Sequence, residues 1–197
     1  MNGTLEKNMD QKIENMSFVD ESIRSALLDN SIHYLSGEIE EDNIAEAIRW
    51  VIFENIRGED ETKPLVMYVN SVGGELAEAQ ALIAVMRKSK RPICTIGIGS
   101  VCSAAFMIFA AGTKGHRFVS DSASIMCHQF SGGFEGKYHD MKSMLKEGDL
   151  INDRMVKLLQ DFTGLDARKI KSKLLPPTDV WFTADEVIEL GVADYIF

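Results

Sequence analysis

Residues 91–112, RPICTIGIGSVCSAAFMIFAAG, decide the fold. RPICTIGIG is a short apolar run rich in β-branched residues, which predicts a strand buried on both faces, as in parallel sheets covered by helices. SAAFMIFAAG holds only small and apolar residues after its serine and predicts a helix with no solvated face. GSVCS makes the turn between them. A strand that feeds directly into a buried helix is half of a β-α-β crossover, so the segment predicts α/β architecture with largely parallel pairing.

The alternation continues on both sides. Upstream, SIHYLSG reads as a strand, Ile44, Ile48, Val51 and Ile52 as a helix face, LVMYVN as a strand, and Leu76, Ala79, Leu82, Ile83 and Met86 as one helical stripe. Downstream, RFVS and SIMCH read as short strands. Met141, Met144, Leu145, Ile151, Met155, Leu158, Leu159 and Phe162 then predict one long helix from Tyr138 to Phe162. A capping box, Thr183 with Glu186, opens a last helix, Gly191 stops it, and VADYIF predicts a closing strand. No repeat, low-complexity tract or linker divides the chain, so residues 18–197 form one expected domain behind a polar, flexible segment 1–17.

The composition narrows the function classes. A length of 197 residues with 45% hydrophobic content supports an ample single core. The formal net charge of −9, without a basic cluster, argues against a nucleic-acid footprint. The first sixteen residues carry charges throughout and no apolar block, so neither a signal peptide nor a membrane span is expected and the cytosol is the expected location. Cys94, Cys102 and Cys127 lie within apolar sequence and read as buried, reduced thiols. Zinc ligation by Cys102, Cys127 and His128 lacks the paired spacing such sites use, and no metal or cofactor is expected.

Three polar residues each end a different apolar run: Ser103 in GSVCSAAFMIFAAG, His128 in SIMCHQ and Asp179 in PPTDVWF. Rigid placement at the edge of a core is what a nucleophile, its base and the base's orienting acid require, so the chain reads as a serine hydrolase. Each residue alone has a plainer reading: Ser103 as a helix cap, His128 as a core histidine, Asp179 as a turn residue after Pro177. Cys102 is a rival nucleophile beside Ser103. NSVGGE and GSVCS both read as strand-to-helix turns, where free N–H groups can donate to an oxyanion; Gly73 and Ala104 are the candidate donors. Gly73-Gly74 alone would serve equally as a tight turn.

From about Ile32 to Ile196 the chain resembles the ClpP family, the proteolytic subunits of the caseinolytic proteases. The resemblance rests on LSGEI, YVNSVGG, GSVCSAAFMIFAAGTKGHRF, SIMCHQFSGGFEG and DVWFTADEVIELGVAD. It implies the spiral fold of repeated β-β-α units shared with the crotonases, with a long protruding handle helix. It implies Ser103 as nucleophile in preference to Cys102, His128 as general base and then acid, Asp179 as the orienting acid, and Gly73 and Ala104 as oxyanion-hole amides. Gly74, Glu75, Ser131, Gly132 and Gly133 fall in the implied peptide groove, where exposed backbone pairs with an extended substrate.

The family resemblance further implies a serine endopeptidase of unfolded chains, enclosed in two stacked homo-oligomeric heptameric rings joined by the handle, and fed by a hexameric AAA+ unfoldase. Val72 and Phe130 stand where the family usually has proline, and Phe130 is expected to add bulk beside the groove. The segment 1–30 and the basic MRKSKRP differ from the family's usual partner-contacting sequence. A crotonase-like acyl-CoA enzyme and a catalytically silent subunit of a mixed ring are the alternatives; Ser103, His128 and Asp179 together speak against both.

Overall fold

β2 (Leu65–Gly74) and β3 (Ile93–Cys102) pair in parallel at the centre of a seven-stranded sheet. The computed structural model describes residues 21–197 apart from 59 and 134, so most of the segment 1–30, including all of 1–17, lies outside the described residues. Residues 21–29 are helical and lead into β1 (Ile32–Ile39), which pairs in parallel with β2. Parallel neighbours need crossover connections. Helices α1 (Glu41–Arg57), α2 (Leu76–Met86) and α3 (Ala104–Ala110) supply them between successive strands.

The sheet runs β1-β2-β3-β4-β7, where β4 is Arg117–Val119 and β7 is Tyr195–Ile196. β3 changes partner part-way along its length. Thr95 to Gly97 pair with β4, whereas Ser100 to Cys102 pair with β5 (Ser124–Cys127). At the change of partner a Cβ on Gly99, whose φ is +56°, would lie 2.4 Å from Asn70 Oδ1. That oxygen instead accepts the Ser100 N–H at 3.0 Å, and the β2–β3 register slips between Val69 and Ser71. β6 (Val180–Phe182) pairs antiparallel with β5 and completes the sheet.

The α/β class and the mostly parallel sheet agree with the sequence expectation. Two glycine segments differ from it: NSVGG belongs to β2, with Gly73 and Gly74 paired to Glu38 and Ile39 of β1 beyond a bulge, and GSVC belongs to β3. Each turn therefore falls one step later, at Glu75 and Ser103. The closing strand is also shorter than VADYIF. Val192 and Ala193 donate to the Val187 carbonyl at 2.9 and 3.1 Å, folding back over the end of α6 (Ala184–Glu189) before the strand begins.

All seven residues of α3 are buried, so the residue before it is fixed to the most enclosed part of the core. Glu54, fully buried, is paired with Arg91 at 2.9 Å and accepts from Ser31 Oγ at 2.8 Å, leaving no charge uncompensated. α4 (Tyr138–Thr163) has 26 residues and extends about 39 Å. From Ile151 onward its stripe packs on the core, through Met155, Leu159 and Phe162. Its first half leaves Met144, Leu145 and Leu150 exposed. A short helical segment, α5 (Ala167–Lys169), continues as a π-helical turn (Ile170–Leu174) that buries Ile170 and Leu174.

Candidate active site

Ser103 occupies the turn between β3 and α3 with φ 55° and ψ −122°. Ser31 and Ser103 alone among the described non-glycine residues have positive φ, a conformation that costs on the order of 1–3 kcal/mol and persists only where the surroundings enforce it. Here the Ser103 N–H donates to the Met126 carbonyl at 2.9 Å, and its carbonyl accepts the first helical bond of α3 from Met107 at 3.3 Å. The turn is held at both ends, and the hydroxyl projects at the carboxyl end of the sheet, where sites on parallel sheets form.

His128 follows the last residue of β5. Its Nε2 lies 2.7 Å from Ser103 Oγ. With the imidazole proton on Nδ1, Nε2 accepts the serine hydrogen, the polarity a general base requires. Cys102 does not compete for this place. Its Sγ lies 3.5 Å from the Ser124 carbonyl, and burial pushes its thiol above the ordinary range. Burial also pushes Cys94 up to about 11 and Cys127 up to about 12, so these thiols stay protonated and inert at neutral pH.

Asp179 sits next to the pair without joining it. The β5–β6 register runs Ile125 with Phe182, Met126 with Trp181 and Cys127 with Val180, so its next step sets His128 opposite Asp179. The Asp179 side chain is exposed, and among the described residues it makes no hydrogen bond to His128.

Gly73 approaches Ser103 more closely than any side chain would allow. Its φ is +102°, and a Cβ there would lie 2.6 Å from Ser103 Cβ, 2.9 Å from the Cys102 carbonyl and 3.1 Å from Ala104 N. The Gly73 backbone therefore lies directly against the Ser103 turn and the Ala104 amide nitrogen. The Gly73 N–H donates to Ser71 Oγ at 3.1 Å.

A cavity of about 130 Å³ opens on Ser103 and His128. Gly74, Glu75, Ala104 and Ser131 line it; Gly132 lies outside it, against the Phe130 ring, and Gly133 faces open space. Sequence reasoning did not assign Leu76, Gln129 or Met155 to this cavity. Leu76 and Met155 carried only the helical periodicity of core residues, which is indistinguishable from that of a pocket wall. Among the described residues no cluster of three or more His, Cys, Asp or Glu is placed to hold a metal ion, and no helix is long and apolar enough to cross a membrane.

The model of the Clp protease family matches residues 15–197. The chain belongs to the Clp protease family. It is 31% identical over 176 residues to the ATP-dependent Clp protease proteolytic subunit 2 of Mycolicibacterium paratuberculosis, covering 89% of this chain and 86% of the relative. Over 175 residues it is 28% identical to the ATP-dependent Clp protease proteolytic subunit 1 of Leifsonia xyli subsp. xyli, covering 89% and 87%. A Clp-type peptidase is thereby established.

Proposed function

We propose that this Clp-family peptidase is a serine endopeptidase in which Ser103 attacks the scissile carbonyl while His128 takes its proton. The carrying observation is the 2.7 Å contact between Ser103 Oγ and His128 Nε2 at a strained turn. Asp179, reached from its register position opposite the histidine, orients the imidazole and stabilises its charged form. The amides of Gly73 and Ala104 hold the developing oxyanion, and loss of one such donor costs on the order of a hundred- to a thousandfold in kcat. His128 returns the proton to the leaving amine, and water resolves the acyl-enzyme by the same path reversed. Gly74, Glu75, Ser131, Gly132 and Gly133 present backbone to an extended substrate.

The enclosing assembly belongs to the same proposal. The exposed Met144, Leu145 and Leu150 on the projecting half of α4 are suited to the handle contact between two homo-oligomeric heptameric rings. The relatives are named subunits of ATP-dependent proteases, which supports feeding by a hexameric AAA+ unfoldase. A separate cavity of about 560 Å³, where Leu28, Trp50 and Phe53 lie among Arg24, Glu46 and Arg49, offers a mixed apolar and charged seat for such a partner. No cofactor takes part in this chemistry, and no nucleic acid or membrane partner is proposed.

A fluorophosphonate probe tests the reading directly. It labels Ser103 in the native particle, and Ser103→Ala abolishes both labelling and cleavage of a short fluorogenic peptide. Labelling that persists in Ser103→Ala identifies another nucleophile. That Asp179 makes no hydrogen bond to His128 among the described residues favours one second reading, a subunit silent until it joins a mixed ring. Labelling only after addition of another subunit type, with native mass reporting the composition, selects that reading.

A further inference from the structure

β5 stops at Cys127, His128 follows it directly, and α4 begins at Tyr138. Two contacts fix it directly after the histidine. Gln129 Nε2 donates to the Leu175 carbonyl at 2.9 Å, and the Phe130 N–H donates to Asn152 Oδ1 at 3.1 Å. The second contact joins the histidine-bearing segment to α4. It satisfies a part-buried backbone donor, a group that is expensive to leave without an acceptor.

The same hydrogen bond sets the wall of the cavity. Phe130 lines it, and the ring is backed by Gly132, where a Cβ would come within 3.0 Å of the ring edge. Met155, three residues along α4 from Asn152, forms another wall. At about 130 Å³ the cavity is well below the roughly 300 Å³ at which pockets for drug-sized ligands begin, and holds one side chain of modest size. A shift of Phe130 away from α4 would enlarge this space and drag on His128, two residues back.

Resting on the reading of Ser103 and His128 as nucleophile and base, we propose that Asn152 is a positioning residue of the peptidase reaction. Its carboxamide oxygen holds the Phe130 N–H so that His128 stays on Ser103 Oγ. The same bond keeps the Phe130 ring closed against bulky side chains on the substrate residue whose carbonyl is attacked. Asn152 touches no reacting atom and acts through Phe130 alone.

The test uses the full assembled particle and two fluorogenic peptides that differ only in carrying alanine or tryptophan at the residue before the scissile bond. Asn152→Leu lowers kcat for the alanine peptide about tenfold with KM little changed, the effect of one orphaned donor, and narrows the preference for alanine over tryptophan. Asn152→Asp keeps an acceptor and restores kcat. Phe130→Pro has no N–H to orphan, so adding Asn152→Leu to it costs nothing further.

Three results overturn the proposal: native kcat and preference in Asn152→Leu, equal loss in Asn152→Asp and Asn152→Leu, or the same Asn152→Leu penalty with and without Phe130→Pro. If Phe130→Pro alone loses all cleavage, the Asp and Leu variants decide. If Asn152→Leu fails to assemble, Asn152→Ala replaces it in the same comparison. Fluorophosphonate labelling separates the two levels. Absence of Ser103 labelling in the native particle sinks the catalytic reading, whereas labelling in all variants with any overturning result sinks the role of Asn152 alone.

Discussion

Gly73→Ala tests whether the β2 backbone forms part of the reaction centre. The residue has a φ of +102°, where an L side chain carries strain of roughly 1–3 kcal/mol. The added carbon would meet Ser103 Cβ at 2.6 Å, the Cys102 carbonyl at 2.9 Å and Ala104 N at 3.1 Å. These are backbone atoms or the first atom of a side chain, so none can swing aside. Restoring an ordinary contact of 3.4–4 Å to Ser103 Cβ means moving β2 and the Ser103 turn apart by about 1 Å. A misplacement of that size costs a reaction of this kind on the order of a hundredfold in kcat. Strain of about 2 kcal/mol also lowers the melting temperature by about 4–8 °C. The assay is cleavage of a fluorogenic peptide by fully assembled particles, well below the melting transition. Gly115→Ala is the control, since its φ of +85° carries similar strain while a Cβ there meets nothing within 4 Å. A Gly73→Ala particle that assembled normally and kept its native kcat would refute the reasoning, as would an equal loss in the control.

Three further outcomes follow from the packing. Thr183→Ala removes the capping box at the start of α6, costing about 1 kcal/mol and about 2–4 °C of melting temperature, read by calorimetry. Burial alone would raise the Asp194 carboxyl, but the hydrogen bonds and charge of Arg117, with the Gly115 N–H, outweigh it and hold the group below its ordinary value of 3.8. The stability from this depressed value is fully present above the unfolded pKa and is lost as pH falls through the folded one; Asp194→Asn removes that contribution, so melting curves collected from pH 5 downward show a shallower acid dependence than the native chain. Cys127, pushed up to about 12, and Cys94, up to about 11, resist alkylation in the native particle at pH 8 and react in urea, as mass spectrometry will show.

What the sequence disclosed, and what it did not, divides along local and non-local lines. The long helix was legible to within one residue, because the stripe ending at Phe162 is written in adjacent turns and stopped by Gly164, whose φ is +77°. The buried α3 was equally plain, having no polar residue to place in water. β6 was not legible: three residues after a turn have no period, and only register against β5 makes VWF a strand. That register brings Asp179 opposite His128, so chemistry alone suggested the acid whereas its position depends on pairing. Gly73 against Ser103 depends likewise on two strands meeting. Asn152 reads from sequence as one more polar residue on a helix, and only the fold shows the N–H it serves.

The backbone at residue 103 adopts dihedral angles in which glycine is at ease and serine is not. Glycine at this position would relax the elbow while erasing the hydroxyl, whereas alanine would erase the hydroxyl and keep the tension. The two customary ways of silencing such a centre are thus unequal, and the glycine form is the one to outlast the native chain in heat. The hydroxyl is retained against the polypeptide's own thermal interest, a local sacrifice of robustness made at a single hinge of the main chain.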